Sequence, residues 1–352
     1  MEWLDAMRGF TMMLVVAHHV MNFGFGVYMP KDTAIQDVLI LFRMPLFFFV
    51  SGFLAYSAKT VWSGKTLGSS LLKKLRIQMV PTIIFLAVYV AVFNRDFCTA
   101  FMESLAKPLK DGYWFTYVLL MMFIIYYLFA YLEAKLNKWT NGKLPSWLPI
   151  LVLWVISMLA YETNYMPKQF TYMKEVWCDY TSFSQFTQYF CFFVTGNVCR
   201  RYWKQAERLF DTNWFFALVV VVALISSLDF FKWHTLRMMW ANLPRTVAIF
   251  SFLGIIIMCF HHYEQTFSKQ TRLGRVMQYI GTRTLDIYLI HYFFLPRLHM
   301  VGPWLKENKP GATVELVMIL SVALVVIGIS LITSNVLRTS PIFRKYLFGV
   351  KN

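Results

Sequence analysis

The sequence predicts an all-α integral membrane protein of about ten transmembrane helices, with both termini cytoplasmic and no soluble domain. Three observations carry this. Apolar residues make up 58% of the 352 and charged ones 15%, where a soluble chain carries roughly 25% charged residues. Apolar runs near the ~20 residues that span a bilayer recur from end to end. Lys and Arg are divided unevenly between the connections, and that division sets sidedness.

The runs fall near 5–25, 38–57, 78–94, 113–132, 147–162, 183–199, 213–230, 243–261, 277–296 and 313–335. With the amino terminus inside, the inner connections hold 19 Lys and Arg and the outer ones 11, leaving Arg8, Arg43, Arg245 and Arg283 within spans. The net charge of +16 is then mostly topology and no nucleic-acid footprint. It suits a lipid bilayer, with anionic lipid or a phosphorylated substrate as further partners.

In the first run Glu2 and Asp5 replace the basic flank of a signal peptide, and no small-x-small cleavage site follows His19. An uncleaved helix is the better reading. Arg8 and His19 are eleven residues apart, so they share one face to within about 20° and stand ~16 Å apart along the axis. His18 points about 80° away. Two readings of this stripe stand: an arginine snorkelling to lipid phosphate with an interhelical histidine, or two contacts to one long ligand.

The second run, LFRMPLFFFVSGFLAYS, places Arg43 about two turns below the outer surface, next to a helix-bending Pro45. Its Ser51–Gly52 pair is small enough for close helix contact. Next, KKLRIQMVP at 73–81 gathers Lys73, Lys74 and Arg76, as simple anchoring to the inner face or as a phosphate clamp. The longest connections, 95–112 and 163–182, lie outside and are rich in aromatic and polar residues. That composition suits a saccharide or an interfacial aromatic belt.

The ninth run carries Arg283 and Asp286, three apart and able to pair. His291 lies about 22 Å from the inner end of its helix and His19 about 24 Å from residue 3 of the first. Both therefore reach similar depth, and Arg43 descends towards the same level, which suggests a polar cavity in the outer half. Ionisable groups inside spans are costly enough to be functional candidates by default. His261–His262 sits at the inner end of the eighth run and reads as interfacial. The five cysteines lack C-x-x-C spacing, so they give no metal or redox signature; Cys98 and Cys178, both outward, can pair or stay free.

Taken in order, these residues resemble the acyltransferase-3 family, bacterial integral-membrane enzymes that O-acylate extracytoplasmic glycans. Arg8, ten intervening residues and His19 match its first-helix signature. PLFFFVSGFL at 45–54, with Ser51, resembles its second-helix motif. Lys73-Lys74-Leu75-Arg76 before Pro81 resembles its cytoplasmic basic motif, with lysine where arginine is common. YWF at 113–115, with Trp114, resembles its fourth-helix opening, and IGTRTLDIYLIH at 280–291 its closing motif. The matches run from residue 4 to 291 in the expected order.

The resemblance implies a protein of the bacterial cytoplasmic (inner) membrane that holds no permanent cofactor. Its donor is a cytoplasmic acyl-CoA, usually acetyl-CoA, and its acceptor a glycan or lipid-linked saccharide. It implies Arg8, Ser51, Lys73 and Arg76 at the coenzyme and Trp114 and Asp286 at the acceptor. His19 is then the general base, with Arg43 or His291 as donors to the oxyanion; an acyl-histidine intermediate is the other route. No metal is expected. Two competing readings are a secondary transporter, which lacks an inverted repeat here, and a non-catalytic scaffold whose buried charges merely pair.

Overall fold

The computed structural model describes residues 1–28, 33–164, 176–229 and 242–348, and among these there is no strand. The helices are α1 (Glu2–His19), α2 (Ala34–Ala55), α3 (Gly64–Lys74), α4 (Val80–Phe93), α5 (Phe97–Ala106), α6 (Trp114–Trp139), α7 (Leu148–Thr163), α8 (Val176–Thr181) and α9 (Phe183–Arg201). They continue as α10 (Trp203–Phe210), α11 (Asn213–Leu228), α12 (Leu243–His262), α13 (Arg272–Thr282), α14 (Thr284–Ile290), α15 (Val301–Asn308), α16 (Ala312–Leu337) and α17 (Pro341–Tyr346).

A helix occupies each of the ten predicted runs. Among the described residues, four helices are long and apolar enough to cross a membrane by length and composition: Gly64–Phe93, Trp114–Trp139, Leu243–His262 and Ala312–Leu337. The pair α10 and α11, bent by 84°, makes a fifth if counted as one span. Of the rest, α7 has 16 residues and α1 carries Glu2, Asp5 and Arg8. Large apolar side chains stay exposed along α4, α11 and α16, among them Val92, Leu224 and Ile332, which suits a surface in contact with lipid.

Two elements differ from the expected connections. The stretch 58–77 is helical from Gly64 onward, because Ser63 caps α3 by accepting from the Thr66 amide. Within 95–112, Asp96 caps α5 in the same way. Most of the aromatic run expected in 163–182, at 165–175, lies outside the described residues. No disulfide joins Cys98, which is exposed, to Cys178, which is buried.

The chain divides into two compact units. In the first, Met1–Phe47 with Lys204–Leu337, α1 and α13 meet through a reciprocal pair of glycines. A Cβ on Gly9 would strike the Met277 carbonyl, and one on Gly281 the Asp5 carbonyl. Small residues let two backbones approach this closely. Trp3 against His261 and Phe10 against Phe260 add α12 to the same helix, and Asn335 of α16 bonds to Tyr279 of α13.

The second unit, Phe48–Trp203 with Arg338–Asn352, repeats the device. Gly52 of α2 faces the Phe193 carbonyl and Gly196 of α9 faces that of Phe49, so the small pair at 51–52 does mark close helix contact. Trp154 donates to Thr195 at 2.9 Å, joining α7 to α9. Arg201 forks onto Glu133 at 2.7 and 2.8 Å, joining α9 to α6.

Candidate active site

The glycine contact between α1 and α13 sets how near the following segments come. After His19, α1 widens into a π-helical turn, Val20–Gly24, closed by the Phe25 amide on the Val20 carbonyl at 2.8 Å. After Ile290, α14 tightens into a 3₁₀ turn, His291–Phe294. The two histidines meet there, with His19 Nδ1 2.7 Å from His291 Nε2.

Their ring planes differ by 9° and their centroids lie 5.0 Å apart. That separation equals roughly two ring radii plus one hydrogen bond, so the rings meet edge to edge in a common plane, with N–H aimed at lone pair. The second nitrogen of His291 fixes the direction of the bond. His291 Nδ1 is 3.0 Å from the Ile287 carbonyl, and a carbonyl only accepts, so Nδ1 carries the hydrogen. In the neutral pair Nε2 of His291 is then bare and accepts from His19 Nδ1–H, which leaves the lone pair of His19 on Nε2. His291 is fully buried while His19 keeps partial exposure.

Around the pair, Tyr292 brings its hydroxyl to 3.4 Å from His19 Nε2, and Phe23, 44% exposed, has its ring 5.8 Å from that of His19. His18 is buried and its Nε2 accepts from the Asn22 amide at 2.9 Å. The Arg43 charge acts on both His18 and His19. The meeting of His19 and His291 expected from depth alone is therefore present. His291 takes a different part in it: both its nitrogens are engaged, so its geometry suits positioning His19 and not donating to an oxyanion.

Arg8 lies at the other end of the α1 stripe. Its guanidinium contacts Asp5 at 3.1 Å and Thr284 at 3.2 Å. Asp286 pairs with Arg283 at 3.4 Å, as its spacing suggests, and accepts from Ser334 at 2.6 Å. At 3% exposure this carboxylate ties α14 to α16, a geometry that does not suit contact with an acceptor.

The remaining candidates belong to the second unit. Lys73 and Arg76 are both exposed, three residues apart, where α3 passes into a second π-helical segment, Leu75–Met79. Lys74 turns inward, its ammonium 3.4 Å from the centre of the Phe123 ring. Trp114 opens α6 and stacks on Tyr189 at 5.7 Å, with Phe48 beside it. Ser51 sits next to the Gly52 contact and is partly buried.

A buried lysine, Lys110, lies in the turn that precedes α6. Lys110 and Asp111 adopt consecutive left-handed conformations, φ 44° and 47°, each costing about 1–2 kcal/mol. Side-chain ties hold them: Lys110 Nζ donates to the Leu105 and Tyr180 carbonyls, each at 2.9 Å, and Asp111 accepts from Ser104 and Lys107. Burial pulls the Lys110 ammonium down to about 8, against a smaller opposing pull from Asp179.

Sequence reading missed Tyr292, Asn22 and Lys110; adjacency to His291 is the one signal that points to Tyr292. One π-helical segment begins directly after His19 and the other contains Arg76, a recurring association with functional sites. Among the described residues no group of three or more His, Cys, Asp or Glu is arranged to hold a metal ion.

Neither a curated protein nor a solved structure matches the chain. A family model described as an acyltransferase domain matches residues 1–335. A match over nearly the whole length, on a helical chain with several membrane-length spans, places this protein in the acyltransferase-3 family of membrane acyltransferases.

Proposed function

We propose that the protein moves an acyl group, most simply acetyl, from cytoplasmic acyl-CoA to a hydroxyl of an extracytoplasmic or lipid-linked glycan, with His19 as general base. The observation that carries this is the His291–His19 pair, which leaves the lone pair of His19 on Nε2. A base so held is primed to take a proton from an alcohol.

In this mechanism the acceptor O–H gives its proton to His19 Nε2 as its oxygen attacks the thioester carbon. The positive charge that appears on His19 is stabilised through Nδ1–H by His291, much as an orienting group serves a catalytic triad. The charge on the carbonyl oxygen needs cationic or hydrogen-bonding partners, and Arg43 is assigned to it. When the tetrahedral centre collapses, the proton passes from His19 to the departing CoA sulfur.

Arg8, Lys73 and Arg76 are assigned to the coenzyme phosphates, Ser51 to the coenzyme arm and Trp114 to the sugar of the acceptor. Lys73 and Arg76 are supported by joint exposure; Arg8 would exchange part of its Asp5 contact for phosphate. Both termini are assigned to the cytoplasmic face of a bacterial inner membrane from the Lys and Arg distribution.

The test uses full-length protein in lipid nanodiscs with acetyl-labelled acetyl-CoA and a panel of methyl glycopyranosides and lipid-linked oligosaccharides. Label should pass to an acceptor hydroxyl with release of CoA thiol, and His19→Ala should abolish the transfer while acetyl-CoA still binds. Transfer at a near-normal rate in His19→Ala would sink the assignment. A transporter or a scaffold would release no thiol.

A further inference from the structure

We propose, building on the reading of His19 as base, that Tyr292 is a second catalytic group. Its hydroxyl occupies the acceptor's place on His19 Nε2 in the resting protein, then donates to the oxyanion when the acceptor displaces it.

The local fold delivers Tyr292 to this position. It follows His291 in the 3₁₀ turn His291–Phe294, so the turn that seats one ring seats the other. The Tyr292 ring lies 4.1 Å from His291 and 5.0 Å from His19, centre to centre. Since Nε2 of neutral His19 only accepts, the phenol is the donor in the 3.4 Å contact. Hydroxyl bonds are usually about 2.7–2.8 Å, so this one is long and readily exchanged. An alcohol approaching the same lone pair must take over that bond.

The released phenol then faces the reacting carbon. The attacking oxygen sits on Nε2, and the developing oxyanion is bonded to the same tetrahedral carbon. A donor that reached Nε2 before the acceptor arrived is therefore one short rotation from the oxyanion. His291 cannot serve there, because both its nitrogens are committed.

The step balances. The acceptor O–H bond breaks, its proton goes to His19 Nε2, and the new C–O bond shifts the carbonyl electron pair onto oxygen, where Tyr292 O–H donates. Collapse re-forms the carbonyl, breaks the C–S bond and sends the His19 proton to the CoA thiolate. Ester and CoA thiol leave, and Tyr292 returns to the neutral Nε2.

The test measures thiol release from acetyl-CoA by the full chain in nanodiscs, with the best methyl glycopyranoside of the panel and with water alone as acceptor. Tyr292→Phe should lower kcat about 100-fold or more with KM for acetyl-CoA within twofold, as loss of one oxyanion donor does. Replacing Tyr292 by 3-fluorotyrosine, a more acidic phenol of nearly the same shape, should hold or raise kcat. A kcat within threefold of wild type in Tyr292→Phe overturns the proposal, and so does an equal loss in the fluorinated protein, which would make Tyr292 a packing residue. Wild-type protein that releases no thiol with either acceptor fails the His19 reading itself, whereas a dead His19→Ala beside a normal Tyr292→Phe fails this inference alone.

Discussion

The residue that decides the chemistry at His19 is one it does not share a helix with. His291 gives its Nδ1 hydrogen to the Ile287 carbonyl, and this one bond settles which nitrogen of His19 is bare. Removing the orienting partner of a catalytic histidine has cost ~10⁴ in rate in a serine protease. His291→Phe should therefore lower kcat for thiol release by about 10²–10⁴ and leave KM for acetyl-CoA nearly unchanged, while His291→Gln, which keeps an acceptor, should lose less. Equal rates for wild type and His291→Phe would remove the relay. Lys110 gives a residue-scale prediction of another kind. Its folded pKa of about 8 lies below the unfolded value of 10.5. Between those values the unfolded chain binds more protons, so stability rises with pH across the window and the burial penalty is full below it. The melting temperature of wild type relative to Lys110→Met should therefore rise from pH 8 to pH 10; a flat or falling difference would contradict the burial of a charged ammonium there.

At the scale of elements, two glycine contacts and two π-helical segments do the positioning. The spacing of Arg8 and His19 was legible because a 3.6-residue period fixes faces along one helix. The π turn that follows was not, since an extra residue in a turn leaves no periodic signature over five residues. Ser51–Gly52 was readable as a close contact, but its partners in α9 were not, because which helices pack together depends on contacts far apart in sequence. The contact of Gly281 with the Asp5 carbonyl makes the clearest prediction. Gly281→Val forces side-chain atoms against backbone, so α1 and α13 must part, at about 1–3 kcal/mol for overpacking. Such a shift lengthens the 2.7 Å His19–His291 bond, and thiol release should fall with the melting temperature. Gly328→Ala on α16 meets open space and should leave activity intact, with stability raised by up to about 1 kcal/mol. Full activity in Gly281→Val would mean that this helix contact does not set the site.

For the whole molecule, composition gave away an all-helical membrane protein, and the ordered motifs gave away its family, whose model spans residues 1–335. Sidedness rests on the division of Lys and Arg between connections, a property of the chain and not of any one contact. A helix is equally stable in either direction across a bilayer, whereas moving Lys- and Arg-rich connections across it is unfavourable, so these connections set the orientation. Cys98 allows a direct measurement. Of the five cysteines it is the exposed one, with Cys178 and Cys191 buried and Cys199 and Cys259 partly so, and it lies in the connection assigned to the outside. A membrane-impermeant maleimide applied to intact cells should label wild-type protein, and Cys98→Ser should abolish the label. In a Cys98→Ser background, Lys345→Cys in α17 should react only once the membrane is opened. Labelling of Lys345→Cys from outside would invert the topology. The basic residues at 73–76 would then face away from cytoplasmic acyl-CoA, and the donor side of the proposed reaction would fall with them.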